Sequence, residues 1–412
     1  MKTNLFLLLL FLSSISYSQE IIDWRGPNRT GVYDETDLLD NWPKNGPELL
    51  WSLEDIYTGY SSVSVANNSI YLTGRNESTD VLIAVDINGK IKWQVPYGRA
   101  WNGSYNEGRC TPTIENNKIF VSSGLGDLAC IDANGGEIIW SVKASDELGG
   151  TFGRWGISES LLIVDNKLIF TPGGNQTTMV AYDKLTGEII WKSESINDDP
   201  SYVSPLLISR NGKKIITTVT NNYIIGVLPE TGEILWQFNF GEQKASNARN
   251  NQTNTPLYND GKIFVTSGYN HYSVMLNLSE DAESVSLAWV DSTLDVHHGG
   301  VVLVNGYIYG ANWLHNRMGN WVCLDWNTGK VKYNEDWLNK GSIISANDKL
   351  YCYEEKSGYI ALVDANPKEF KVISSFKVPL GKGPHWSHPV IKNGVLYIRH
   401  MDALMAYSIS SN

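Results

Sequence analysis

Short runs of apolar residues, broken by Gly, Asn, Asp and Thr, recur along most of this chain. The clearest copy is Val180-Ala181-Tyr182-Asp183-Lys184-Leu185-Thr186-Gly187-Glu188-Ile189-Ile190-Trp191. Apolar residues alternate up to Asp183. Asp-x-x-Thr-Gly then supplies turn chemistry, with Gly187 able to take φ > 0, and Glu188 to Trp191 reads as a second strand. Asp86 to Trp93, Asp132 to Trp140, Pro229 to Trp236 and Asp325 to Tyr333 repeat the turn and the closing aromatic, and weaker copies end at Trp289 and Phe376. Two further short strands precede each copy, as in Thr113 to Glu115 and Lys118 to Ser122, so one unit is four antiparallel strands.

The closing aromatics Trp51, Trp93, Trp140, Trp191, Trp236, Trp289, Tyr333 and Phe376 recur at intervals of 42 to 53 residues, within or near the period of propeller blades. This predicts an all-β fold, an eight-bladed β-propeller of four-stranded antiparallel blades. The last unit, with strands at Pro389 to Ile391, Val395 to Arg399 and Leu404 to Ser408, stops without a fourth strand. An orphan strand, Leu49 to Ser52, precedes the first complete unit and is expected to complete the C-terminal blade, so that no sheet edge is left open. Asn67-Asn68, Asn116-Asn117, Asn166-Lys167, Asn211-Gly212, Asp260-Gly261, Asn305-Gly306, Asn347-Asp348 and Asn393-Gly394 read as hairpin turns between first and second strands.

Lys2, the apolar run Leu5 to Leu12 and Ser16-Tyr17-Ser18 before Gln19 have the form of a secretory signal peptide. The expected organisation is a leader over 1–18, an N-terminal extension over 19–47 and one propeller domain over 48–412. A periplasmic or secreted monomer is expected, with no transmembrane segment and, since Cys110 is the first cysteine, no lipid anchor. The net charge of −11 argues against nucleic acid as a partner. The four cysteines fall at positions that favour small buried thiols over bridges, and no two are vicinal.

Ring closure should gather the loops that lead into the inner strands at one channel mouth. Four of the seven histidines fall in those loops. Arg109, Arg154, Trp155, Tyr202, His297, His298, Trp386 and His388 are the candidate ligand-binding residues, with Lys340 as a further cation. Flat aromatic faces and cationic donors suit a planar or sugar-like polar ligand. The alternative is that these residues merely satisfy loop backbone groups and fill the channel. No metal site is expected: residues one or three apart on a strand face opposite ways, which separates His297 from His298 and His385 from His388. The alternative is a site joining one His from each pair across neighbouring loops, for which Asp295 is the one carboxylate nearby. Asp198-Asp199 and Glu354-Glu355 read as solvated charge near turns. No nucleophile elbow, zinc-protease helix or phosphate loop is present, so catalytic residues are unknown.

The repeat Ala-x-Asp-x-x-Thr-Gly-x-x-x-Trp resembles that of the pyrroloquinoline-quinone (PQQ) propeller superfamily, which includes quinoprotein dehydrogenases and the outer-membrane assembly factor BamB. Trp24-Arg25-Gly26-Pro27-Asn28-Arg29-Thr30-Gly31 and Pro384-His385-Trp386-Ser387-His388-Pro389 look like the opening and closing segments of small exported PQQ-like repeat proteins. The resemblance implies the propeller, with the Trp packed between blades, and leaves chemistry open because the repeat is structural. Quinoprotein alcohol dehydrogenases carry a vicinal disulfide and calcium, and this chain has no Cys-Cys. The leading expectation is an exported binding or scaffold protein whose partner is an envelope protein or a small polar ligand. The alternative is a PQQ-dependent dehydrogenase with PQQ and calcium. A third reading, a carbohydrate-acting enzyme, lacks paired catalytic carboxylates.

Overall fold

A computed structural model describes residues 20–411, and the leader expected over 1–18 lies outside them. Eight sheets follow one another around a ring. Seven are continuous in the chain: blade 1 over 64–99, blade 2 over 113–142, blade 3 over 162–192, blade 4 over 206–239, blade 5 over 257–291, blade 6 over 296–335 and blade 7 over 341–377. Blade 8 joins Val390–Lys392, Val395–His400 and Ala403–Ser408 to the N-terminal strand Glu48–Leu53, which pairs antiparallel with Ala403–Ser408. The predicted closure is therefore the observed one. Inner strands hold their neighbours through side chains: the hydroxyls of Ser64, Thr113 and Thr255 donate to the carbonyls of Pro112, Leu161 and Ser204, at 2.6, 2.6 and 2.8 Å.

Between third and fourth strands most blades carry a bulge at the same place, immediately after the residue facing the closing aromatic. That facing residue is Ala84 for Trp93, Cys130 for Trp140, Ala181 for Trp191, Gly226 for Trp236 and Cys323 for Tyr333. Cys130 and Cys323 thus serve as small residues beneath a large ring, and all four cysteines are free and buried as expected. Asn67-Asn68, Asn211-Gly212, Asp260-Gly261, Asn305-Gly306, Asn347-Asp348 and Asn393-Gly394 have positive φ at both positions, as a two-residue turn of type I′ requires. In blade 3 the turn lies one residue earlier than expected, at Asp165-Asn166, between Leu162–Val164 and Lys167–Phe170.

The N-terminal extension is part of the propeller. Ile21–Ile22 adds to the inner strand of blade 2, and Val32–Tyr33 runs parallel to that of blade 7. The intervening Trp24 to Gly31 lies inside the channel, tied there by two buried arginines. Arg25 donates to the carbonyls of Val301 in blade 6 and Ile343 in blade 7 and bonds His388 Nδ1 at 2.8 Å. Arg29 donates to Ser160, Leu161 and Pro205 at the starts of blades 3 and 4, and pairs with Asp23 at 2.9 Å. Burial lowers the Arg25 guanidinium to about 10, which leaves it charged at neutral pH. These donors satisfy inner-strand carbonyls that have no next strand to pair with.

Candidate functional site at the channel mouth

The mouth is built from loops of different blades, as the ring requires. Trp386 occupies its middle, with Tyr60 at 4.9 Å, Tyr105 at 5.2 Å and His298 at 5.1 Å between ring centroids. His297 lies against His298 at 4.2 Å and against Tyr269 at 5.1 Å. On another part of the rim, Tyr202 packs tilted against Trp155 at 5.5 Å between centroids, its hydroxyl accepts the backbone N–H of Trp155, and the Arg154 guanidinium lies over the Trp155 ring. Arg109 links the two groups through the fields of Tyr60, Glu107 and Tyr202. Beside Tyr269, a cleft of about 410 Å³ is lined by Arg249, Asn270, Trp313, Asn316 and Arg317.

Desolvation dominates the electrostatics here. Burial lowers the guanidinium of Arg109 from its ordinary value, and it raises the Tyr60 and Tyr202 hydroxyls. Burial holds the His297 imidazole well below its usual value and brings His298 to about 3, so both rings are neutral at physiological pH. Burial raises the Glu355 carboxyl against the opposing pull of Lys340.

Three expectations are corrected. Glu354 and Glu355 are buried: Glu355 Oε1 pairs with the Lys340 ammonium at 2.5 Å, and Glu354 accepts the N–H groups of Lys356, Ser357 and Gly358. Asp198 is also buried and accepts from Thr220 and from the backbone and side chain of Asn222. A turn-based reading of sequence does not contain the pairing with Lys340 that goes with the burial of Glu355. Second, His297 and His298 do not face opposite ways. The ladder of Val296–Val304 jumps from Val296 opposite Asn312 to Val301 opposite Gly310, and within this bulge alternation fails. The carboxylate beside them is Glu355, with Oε2 3.6 Å from His298 Nε2, whereas Asp295 accepts the N–H groups of Asn270 and Trp313.

Third, His388 lies below the mouth. Its Nδ1 meets Arg25 and its Nε2 meets the carbonyl of His298 at 2.9 Å, so neither nitrogen is free for a ligand. The opening and closing motifs thus meet inside the channel, where Trp24 also packs on His388 at 5.4 Å. Of the remaining candidates, Arg109, Tyr202, Arg154 and Trp155 form one group, and His297, His298 and Trp386 form another. Tyr60, Tyr105, Tyr269 and Glu355 complete the second group and were not among the candidates.

The family model described as outer membrane protein assembly factor BamB matches residues 77–335, and the chain belongs to that family. Among curated relatives, the outer membrane protein assembly factor BamB of Moranella endobia is 22% identical over 317 residues, 74% of this chain and 78% of that one. An uncharacterized protein of Rickettsia conorii is 22% identical over 198 residues and shares less than half of either chain. BamB from Moraxella catarrhalis superposes with a TM-score of 0.63 at 13% identity, covering 88% of this chain and 99% of that one. Quinohemoprotein alcohol dehydrogenase from Comamonas testosteroni superposes with a TM-score of 0.70 at 12% identity, covering 95% and 81%. At such identities these structures establish the shared propeller and leave the chemistry of the mouth to its own residues.

Proposed function

We propose that this chain is an exported binding or scaffold protein of the cell envelope that takes a small polar ligand at the channel mouth. One observation carries the reading: side-chain atoms buried on the loops leading into inner strands have no partner among the described residues. Among them are Glu107 Oε2, Arg109 Nη2, Gln252 Oε1 and Asn339 Nδ2, contributed by the loops of blades 2, 5 and 7. Donors and acceptors withdrawn from water in this way are costly unless something fills them. The Tyr269–Trp313 pair, 4.9 Å between centroids, adds an aromatic face, and Arg249 and Arg317 add cationic donors in a chain of net charge −11. The family name and the leader expected over 1–18 support the envelope as its place of work.

The quinoprotein likeness raises PQQ with calcium as the alternative. The donor set at the mouth argues against it. Calcium takes about six to eight oxygen ligands, whereas the groups crowded here are two imidazoles and one carboxylate already paired with an ammonium. Trp386, the candidate stacking face, is contacted by three rings. The four free cysteines provide no vicinal disulfide.

The test is calorimetric titration of the mature chain with neutral and acidic saccharides, and with PQQ plus calcium. Saturable binding of a polar ligand that Arg109→Ala and Trp386→Ala weaken at least tenfold, with unchanged melting temperature, is the expected result. Binding of PQQ with calcium at one equivalent would replace this reading by the dehydrogenase.

A further inference from the structure

We propose that His297, His298 and Glu355 form a site for a divalent transition-metal ion, of the zinc, nickel or copper class, with coordination positions open toward the mouth. This extends the reading of the mouth as a binding site, and its test needs no organic ligand.

Each of the three residues offers a ligand atom, and those atoms lie within 4.8 Å of one another. His298 Nε2 and Glu355 Oε2 stand 3.6 Å apart, too far for a hydrogen bond and near the span of two bonds of ~2.0–2.2 Å to one ion. Both imidazoles present a buried nitrogen with no hydrogen-bond partner among the described residues, Nδ1 of His297 and Nε2 of His298. The other nitrogen of His297, Nε2, is engaged by the Tyr269 hydroxyl at 2.8 Å. Such an outer partner is what orients a metal-binding imidazole and fixes which nitrogen is free.

The carboxylate is arranged in the same way. Lys340 holds Oε1 at 2.5 Å, and Oε2 is the oxygen turned toward His298, 3.6 Å from its Nε2. The Lys340 ammonium lies beside the far oxygen, where it reduces the charge that an arriving cation would feel. That environment disfavours calcium and magnesium, which depend on several anionic oxygens, and favours ions that bind imidazole nitrogen well.

The backbone carrying the two histidines is also held in place. The side-chain amide of Asn254 donates to the carbonyls of Val296 and His297 at 2.8 and 3.2 Å and accepts the Gly300 N–H at 3.1 Å. The Thr253 hydroxyl donates to the His297 carbonyl, and His388 bonds the carbonyl of His298. Side chains from two other blades therefore fix the bulge that brings the rings together. Two nitrogens and one oxygen leave at least one position of a tetrahedral ion open, as in sites that bind an exchangeable ligand.

The test is titration of the metal-free mature chain with zinc, nickel, cobalt and calcium by calorimetry, with the cobalt absorption spectrum as a second readout. One equivalent of zinc, nickel or cobalt should bind, and calcium should not compete. His297→Ala and His298→Ala should each weaken binding at least tenfold without lowering the melting temperature. Tyr269→Phe should weaken it by about 10-fold through loss of the outer partner. Absence of saturable binding at one equivalent would overturn the site. So would binding that survives both histidine variants but is lost in His315→Ala, since His315 is an exposed histidine of the neighbouring cleft. Saccharide binding by metal-free protein that does not take up metal would sink this inference alone.

Discussion

The indole of Trp191 in blade 3 lies on Gly232 in the turn of blade 4: its Nε1 donates to the Pro229 carbonyl at 2.9 Å, and a Cβ on Gly232 would meet Trp191 Cε3 at 2.4 Å. The same seat recurs for Trp51 on Gly89, Trp93 on Gly136, Trp140 on Gly187 and Trp289 on Gly329. The glycine serves two ends at once, since its φ of +80° suits the turn and its bare Cα admits the ring. Trp191→Ala should cost about 3–5 kcal/mol, as for a buried aromatic. Gly232→Ala should destabilise as well, through the ring it displaces and the backbone it strains. Urea unfolding of both variants checks this, and a Gly232→Ala protein as stable as the parent would count against the seat.

Closure of the ring rests on Glu48–Leu53 against Ala403–Ser408. Deleting residues through Leu53 should lower the melting temperature far more than removing Ser410 to Asn412. Among the described residues, the latter forfeits the Leu38–Ser410 bridge and the bonds from Ser411 to the Asp37 carbonyl, at the chain's edge and not in a blade ladder. Equal melting temperatures would mean that the edge strand does not close the ring.

Arg25 and His388 should behave as structural residues. Arg25→Ala leaves the carbonyls of Val301 and Ile343 without their donor, at about 1–3 kcal/mol for each orphaned buried acceptor. Arg25→Lys should not rescue it, because one ammonium cannot reproduce the planar fork that spans two blades and His388. Loss of ligand capture in His388→Ala with full stability would return this histidine to the binding site.

Burial raises the Glu159 carboxyl from 4.5 to about 8, with a Thr171 hydrogen bond and the nearby Arg29 acting in the opposite direction. Asp80 is raised to about 7 by burial, against a hydrogen bond from the Gly124 N–H. A raised folded value means that the native state keeps a proton the unfolded chain has released. The stability it contributes is therefore full below pH 4.5 and is lost as pH rises toward 8. The expected slope is at most about 1.4 kcal/mol per pH unit for each group. Glu159→Gln should flatten this dependence and raise the melting temperature more at pH 9 than at pH 5. A parallel shift at both values would mean that Glu159 is ionised throughout.

What the sequence by itself determined was local and repeated. Strand alternation, Asn-Gly and Asp-x-x-Thr-Gly turns and the closing aromatics each depend on a few neighbouring residues, and eight copies made blade number and closure legible. The mouth was legible as a region for a related reason, because a ring sends every loop before an inner strand to one end. Only the tertiary structure decided which of those side chains meet. The bulge after Val296 turns His297 and His298 together, and it is held by Thr253, Asn254 and His388 from other blades. Glu355 reads as a turn acid until the fold buries it against Lys340. Arg25 meets His388 across 363 positions of sequence, a contact that exists only once the ring has closed around the N-terminal segment.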